Sequence, residues 1–410
     1  MKIKVKHLTK EILWFRTIIF LLYIKFTFSY LGVERNYWTR FLTPNVEKYN
    51  PLGLSQDFST KIEYLLIPLL VTYVLLNYKR LMNLKFTFQI GVFLIILNII
   101  TSYLNGISLI KSIEFSLKIL SPVFLFFVLV IYSRKHGVSY YKMVLNFVRY
   151  CLFLVIIGLI FFNPSVNRIE PQLPIFFNNI HTHSYILTSI FIWIAYIIYK
   201  KNKMITLLVF YIFSFGFLYF GYAVRTALLL YLIFIMASLF IKNDFFKYLW
   251  LQLVIFVPLL AAFVILLTDT DLDSVSSGRI TMYREKYDLI KSYNISEFLF
   301  GRGRGSDLIK TDKWQWEKKG SHSDLITYTI ENGILYLLGF ISLIISFVPR
   351  KRHLNLIFLA ITFGYFFTST ISNGICVRPL AGYIFFMVMA FIYLNLFEQP
   401  KTHSNQTINE

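Results

Sequence analysis

The stretch PLAGYIFFMVMAFIYLNLF, Pro379 to Phe397, contains no charged residue. As a helix rising about 1.5 Å per residue, it nearly matches the ~30 Å hydrocarbon core of a bilayer. FTFQIGVFLIILNIITSYL, Phe86 to Leu104, repeats the pattern. Outward from these two, further apolar runs cover 12–31, 62–78, 115–133, 143–162, 184–199, 204–221, 227–241, 248–267, 324–348 and 354–372. The composition agrees: 57% of the 410 residues are hydrophobic, 19% aromatic and 15% charged. Ordinary soluble domains carry roughly 25% charge, so a disordered chain, a coiled coil, a collagen and a typical cytosolic enzyme are all excluded.

The connections sort by charge. Basic connections at 79–85, 134–142, 200–203, 242–247 and 350–352 alternate with mixed or acidic ones at 32–61, 105–114, 163–182, 268–323 and 373–378. Basic loops stay in the cytoplasm, so this alternation predicts an even number of spans with both termini inside. The first span follows Lys2, Lys4, Lys6 and Lys10. It is too long for a signal-peptide core, and no small-x-small cleavage site follows it, which predicts a retained helix. The expected fold is therefore all-α and integral to the membrane, a polytopic bundle of about twelve transmembrane helices with one long extracytoplasmic loop. Helices one to nine fall in 1–267, a partly helical outer loop in 268–323, helices ten to twelve in 324–397, and a polar cytoplasmic tail in 398–410, expected to be disordered. The net charge of +20 follows from cytoplasmic basic loops and anionic lipid. No basic stripe with interleaved aromatics lies in a soluble stretch, so nucleic acid is not an expected partner. Cys151 and Cys376 form neither a disulfide framework nor a metal spacing.

The outer loop carries the chemistry-bearing residues. It opens with Asp269, Asp271 and Asp273 and continues Ser276-Ser277-Gly278-Arg279. Ile280, Tyr283, Tyr287 and Ile290 then recur at helical steps, a stripe that predicts a helix lying on the membrane or on the bundle. On its polar side Arg284 and Asp288 are spaced to pair. Gly301-Arg302-Gly303-Arg304-Gly305-Ser306 follows. Such a run can expose successive amides as a nest for an anionic oxygen; it can equally be a turn carrying solvated charge. The loop closes on Ser321-His322-Ser323-Asp324 and enters a span containing Glu331-Asn332-Gly333. A histidine at that boundary suits a general base, a metal ligand or a polar cap. A carboxylate inside a span is costly unless paired, so Glu331 is expected to face protein. Arg168, Arg225 and Arg378 stand at other outer ends, where arginine is sparse; each either binds a substrate group or reaches lipid headgroups. His181 and His183 lack a third zinc ligand, and the three aspartates lack the glycine and closing glutamate of an EF-hand. No metal and no cofactor is expected, and activity should survive a chelator.

In their order and common face these motifs resemble the O-antigen polymerase and O-antigen ligase superfamily of polytopic glycosyltransferases. The resemblance covers about a third of the chain, from the seventh span to the tenth. It rests on Arg225 after a span, Gly278-Arg279 opening the loop, the Gly301–Gly305 turn, Ser321-His322, and Glu331–Gly333 in the next helix. The start of span six, Asn178-Asn179-Ile180-His181, is similar too. Where the family often has Ser-Arg-Gly, this chain has Val224-Arg225-Thr226.

The resemblance implies a bacterial cytoplasmic-membrane enzyme that transfers a glycan from undecaprenyl diphosphate to the hydroxyl of another lipid-linked repeat unit. It would build O-antigen, capsule or exopolysaccharide. His322 is then the candidate base, with Glu331 as an orienting or alternative group. Arg225, Arg279, Arg302, Arg304 and Arg378 are candidates for diphosphate or glycan contacts. Membrane lipid, the undecaprenyl-diphosphate-linked oligosaccharide, a chain-length regulator and a flippase are the implied partners. A ligase passing finished glycan to a different acceptor shares every one of these features. A lipid-linked-oligosaccharide flippase or an ion-coupled transporter also fits the span count, but should show repeat symmetry, broken helices and mid-span charges. The in-span basic residues Lys25 and Lys118 lie near span ends.

Overall fold

A computed structural model describes residues 2–32, 59, 61–137, 139–161, 165–167, 170–240, 279–312, 314–348, 355–371, 374–375 and 377–397. In chain order the helices are α1 (Lys2–Leu31), α2 (Glu63–Leu76), α3 (Lys85–Leu104, preceded by a 3-10 turn at Tyr78–Leu84), α4 (Leu109–His136) and α5 (Ser139–Phe161). They continue with α6 (Ile180–Lys200), α7 (Met204–Tyr222), α8 (Arg225–Phe240), α9 (Arg279–Lys291), α10 (Ile295–Phe300), α11 (Asp324–Ser346), α12 (Leu356–Ile371) and α13 (Pro379–Phe397). Two antiparallel hairpins interrupt them: β1 (Ser165–Asn167) with β2 (Glu170–Gln172), and β3 (Ile309–Thr311) with β4 (Trp314–Lys319).

Among the described residues, eight helices are long and apolar enough to cross a membrane, and the shorter α2, α8 and α12 coincide with three more of the expected spans. The chain is thus a largely helical membrane protein. The expected span at 248–267, the aspartates at 269–273, Arg168, Cys376, the basic connections at 242–247 and 350–352, and the tail from Glu398 lie outside the described residues.

The chain divides into two compact units. The first comprises 1–83, 121–228 and 378–410; the second comprises 84–120 and 229–377. In the first, α13 packs along α6 and is buried from Leu380 to Leu394. A helix apolar on every side is one that other helices surround, which explains why Pro379–Phe397 carries no charge. Aromatic rings fill this unit: Phe15 stacks on Tyr132 at 3.8 Å, and Phe126 meets Tyr393 edge-on. Lys25, inside α1, is buried, and its Nζ lies 2.9 Å from Glu63 and 2.8 Å from the Ser59 carbonyl. Pairing offsets the cost of burying that charge. At the basic end of the unit, Arg80, Lys135 and His136 gather around Glu11. Residues of the 79–85 and 134–142 connections therefore meet at one end.

In the second unit α3 runs antiparallel along α11: Thr87 donates to the Ser346 carbonyl, and Gly339 leaves room for Leu94. At the other side Gly364 of α12 receives Leu230 of α8. The stretch from α9 to β4 belongs to this unit and carries most of the candidate site.

Candidate functional site

Helix α10 begins with a reciprocal cap: Asn294 Oδ1 accepts from Glu297 N at 2.9 Å, and Asn294 N donates to Glu297 Oε2 at 3.0 Å. It ends at Gly301, the first of three turn glycines with φ of 76°, 84° and 90°. That turn lies against a break in α11. Gly333 has φ 81° and ψ 174°, so the helix stops and restarts there. The two backbones cross with no space for side chains. A Cβ on Gly333 would meet the Leu299 carbonyl oxygen at 2.2 Å, and one on Gly301 would meet Glu331 backbone atoms at 2.4 Å.

Unwound backbone at membrane depth survives only where protein satisfies it. Here the turn does so: Arg302 N donates to Ile330 O at 3.0 Å, and Gly303 N to Glu331 O at 2.9 Å. The Tyr293 hydroxyl also reaches Ile330 O, at 3.4 Å. Gly305 N donates to the Glu331 carboxylate at 2.7 Å. The turn does hold a carboxyl group, but it is that of the chain's own buried Glu331. These amides are spent on α11 rather than presented to a ligand.

Behind the turn lies a second node, with Lys286, Asp307 and Ser321 buried at its centre. Lys286 Nζ lies 2.6 Å from Asp307 Oδ1 and 3.0 Å from the Lys319 carbonyl. Asp307 Oδ2 accepts from Ser321 N and Thr327 Oγ1, each at 2.8 Å. One ion pair thereby ties α9, the turn, β4 and the start of α11. The residues of α9 that are buried are Met282 and Lys286, while Ile280 and Tyr287 of the apolar stripe are exposed. The reason is that Asp307 gives Lys286 a partner worth turning inward for. Asp288, expected to pair with Arg284, pairs with Lys291.

His322 sits where this node meets α11. It is half-buried and held at φ 55°, a left-handed conformation that side-chain-bearing residues seldom adopt. Burial holds its imidazole below the ordinary histidine value; the Arg279, Lys319 and Lys286 cations press the same way, and Asp307 opposes them. The ring is therefore neutral near pH 7, in cation-rich surroundings. Arg279, the first residue of α9, shares this neighbourhood. Tyr283 feels both it and the carboxylates of Asp307 and Asp324, and burial raises the phenol above its usual range.

The other arginines go elsewhere. Arg302 Nε and Nη2 lie 2.9 and 3.3 Å from the Glu297 carboxylate, and the guanidinium covers the Tyr293 ring at 4.2 Å. That ion pair holds Glu297 below the usual carboxylate range, while burial pushes Tyr293 up to about 12. Arg304 is exposed and lies 4.2 Å over the Phe115 ring. Arg225 and Arg378 belong to the first unit. Arg225 is exposed at the first turn of α8, two residues after the left-handed Ala223 that ends α7. Arg378 Nη1 donates to Asn179 Oδ1 at 3.1 Å, and the same oxygen caps α6 by accepting from Thr182 N. His183 is buried among Phe176, Phe177 and Tyr222.

Within the second unit, then, the fold gathers Arg279 and His322 with Lys286, Lys319 and Asp307, and assigns Glu331 and Arg302 to internal partners. Sequence reasoning missed Lys286, Asp307, Tyr293 and Glu297. The Asn294-to-Glu297 spacing was a readable capping signal; nothing local marked the other three. Among the described residues no three His, Cys, Asp or Glu side chains come together as metal ligands. Compared with protein-family models, characterised proteins and solved structures, the chain matches none.

Proposed function

We propose that the protein is a glycosyltransferase of the bacterial cytoplasmic membrane. It would have twelve spans, both termini cytoplasmic and the 268–323 loop outside. Its donor would be a glycan on undecaprenyl diphosphate and its acceptor the hydroxyl of another lipid-linked repeat unit, as in a polysaccharide polymerase. The observation that carries this reading is the neutral His322 beside Arg279, Lys286 and Lys319, immediately before a membrane span. A lipid-linked donor presents its diphosphate at headgroup height and its sugar in the water above, so a site in the polar segment just before a span matches that layout.

In the reaction, the acceptor oxygen attacks the anomeric carbon as the bond from that carbon to the diphosphate oxygen breaks. The electron pair leaves with undecaprenyl diphosphate. The acceptor proton passes to a ring nitrogen of His322, which must be neutral to take it. Charge grows on the departing diphosphate, so Arg279 stabilises the transition state more than the ground state. Of the two candidate bases, His322 is favoured, because the Glu331 carboxylate already accepts from Gly305 N. Glu331 then acts as a positioning residue for the turn. A ligase with a different acceptor would use the same chemistry.

The broken α11 favours one alternative of another class, a flippase or transporter of lipid-linked oligosaccharide, in which interrupted helices recur. Purified protein in liposomes with a radiolabelled lipid-linked repeat unit separates the readings. Longer glycan on lipid, with release of undecaprenyl diphosphate, supports transfer. Movement of intact donor between leaflets without growth supports the flippase and overturns the enzyme.

A further inference from the structure

The depth of α10 shows in its neighbours. Its end reaches into α11: Gly333, against which Leu299 and Phe300 pack, stands nine residues past Asp324, about 13 Å along a helix. Tyr293, just before α10, reaches Ile330 in the same stretch. On α3, Thr101 Oγ1 donates to Phe300 O at 2.6 Å and Asn105 Nδ2 to Gly301 O at 3.2 Å, at the outer end of that span. Arg304 lies over Phe115, where the apolar run of α4 begins. Helices α3 and α4 thus put 293–304 level with their outer ends, and α11 puts it below its own first residue. Yet Ile295 is 81% exposed and Phe298 43% exposed. They are three residues apart and so share a helix face. In water, two such apolar side chains on a six-residue helix would cost burial energy that the chain could recover nearby; at this depth the adjoining medium is lipid.

We propose that α10 is an interfacial helix: Ile295 and Phe298 enter the acyl boundary of the outer leaflet of the protein's own bilayer, and Arg304 meets lipid phosphate at headgroup level. The crossing of Gly301 and Gly333 fixes its depth. This proposal uses the membrane assignment alone and is independent of whether the protein transfers sugars.

The test is site-directed spin labelling of the full chain in liposomes containing phosphatidylglycerol, on a Cys151→Ala/Cys376→Ala background. Nitroxides are placed in Ile295→Cys, Phe298→Cys and, as an aqueous reference on β4, Lys318→Cys. Labels at 295 and 298 should collide several-fold more with oxygen than with a water-soluble nickel chelate, relative to the label at 318. Equal accessibility at all three positions overturns the proposal. A second measurement covers loss of fold in the labelled chains: Phe298→Trp should add fluorescence that shallow brominated lipids quench. Absence of added quenching in a chain with unchanged thermal unfolding overturns it as well.

Discussion

His322 is neutral near pH 7 because burial and three cations oppose its protonation. If it takes the acceptor proton, activity should hold as pH falls to about 6.5, the unperturbed histidine value, and drop only below it. His322→Ala should cut turnover by roughly 10²-fold or more and leave donor binding nearly intact. His322→Gln should be almost as poor, since an amide cannot accept the proton; a Gln variant with near-normal turnover would remove His322 as the base. The sign for stability follows from the same shift. The unfolded chain protonates this histidine near pH 6.5 and the folded chain only at lower pH. Its contribution is therefore present above 6.5 and lost as pH falls from there toward the folded value. His322→Leu should flatten that part of a melting-temperature profile. If Arg279 binds the diphosphate, Arg279→Lys keeps the charge but loses the guanidinium fork that matches diphosphate oxygens, so most activity should be lost. A wild-type polymer ladder from this variant would exclude Arg279 from the site. At this scale the sequence singled out His322 and Arg279. Lys286 beside His322 was not singled out, because it is on the buried side of α9 only by virtue of Asp307, twenty-one residues away.

Among the elements, α11 and α10 depend on one another. Gly301→Ala and Gly333→Ala would each place a Cβ into backbone at 2.2–2.5 Å and impose a positive φ on a residue with a side chain. The conformational strain alone is about 1–3 kcal/mol, and a backbone collision adds to it. Both variants should unfold well below the parent in detergent. Gly305→Ala carries the strain without the collision, and Gly91→Ala carries neither. Thermal unfolding should therefore rank them parent and Gly91→Ala highest, Gly305→Ala next, Gly301→Ala and Gly333→Ala lowest. A Gly333→Ala melting temperature equal to the parent's would mean that the crossing is absent. The spans were readable because apolar length is a local property. The break in α11 was signalled only by a glycine beside a carboxylate, and the sequence could not say that another backbone would lie against it.

For the whole molecule, the alternating charge of the connections predicts its sidedness. Reporter fusions after Lys242 and after Lys291 should report opposite sides of the membrane; the same side for both would refute the twelve-span topology. The gathering of Arg80, Lys135 and His136 around Glu11 fits that alternation. By itself the sequence determined the helical membrane class, the place of most helices and the segment that carries the polar chemistry, because transfer of each apolar run out of water is set by its own residues. Only the tertiary structure decided which polar groups are occupied with one another. Glu331 on the Gly305 amide, Lys286 on Asp307, Arg302 on Glu297 and Arg378 on Asn179 include contacts between residues 5 to 199 positions apart. A charge in low dielectric must take the partner that the backbone brings within about 3 Å, and that proximity depends on packing rather than on local pattern.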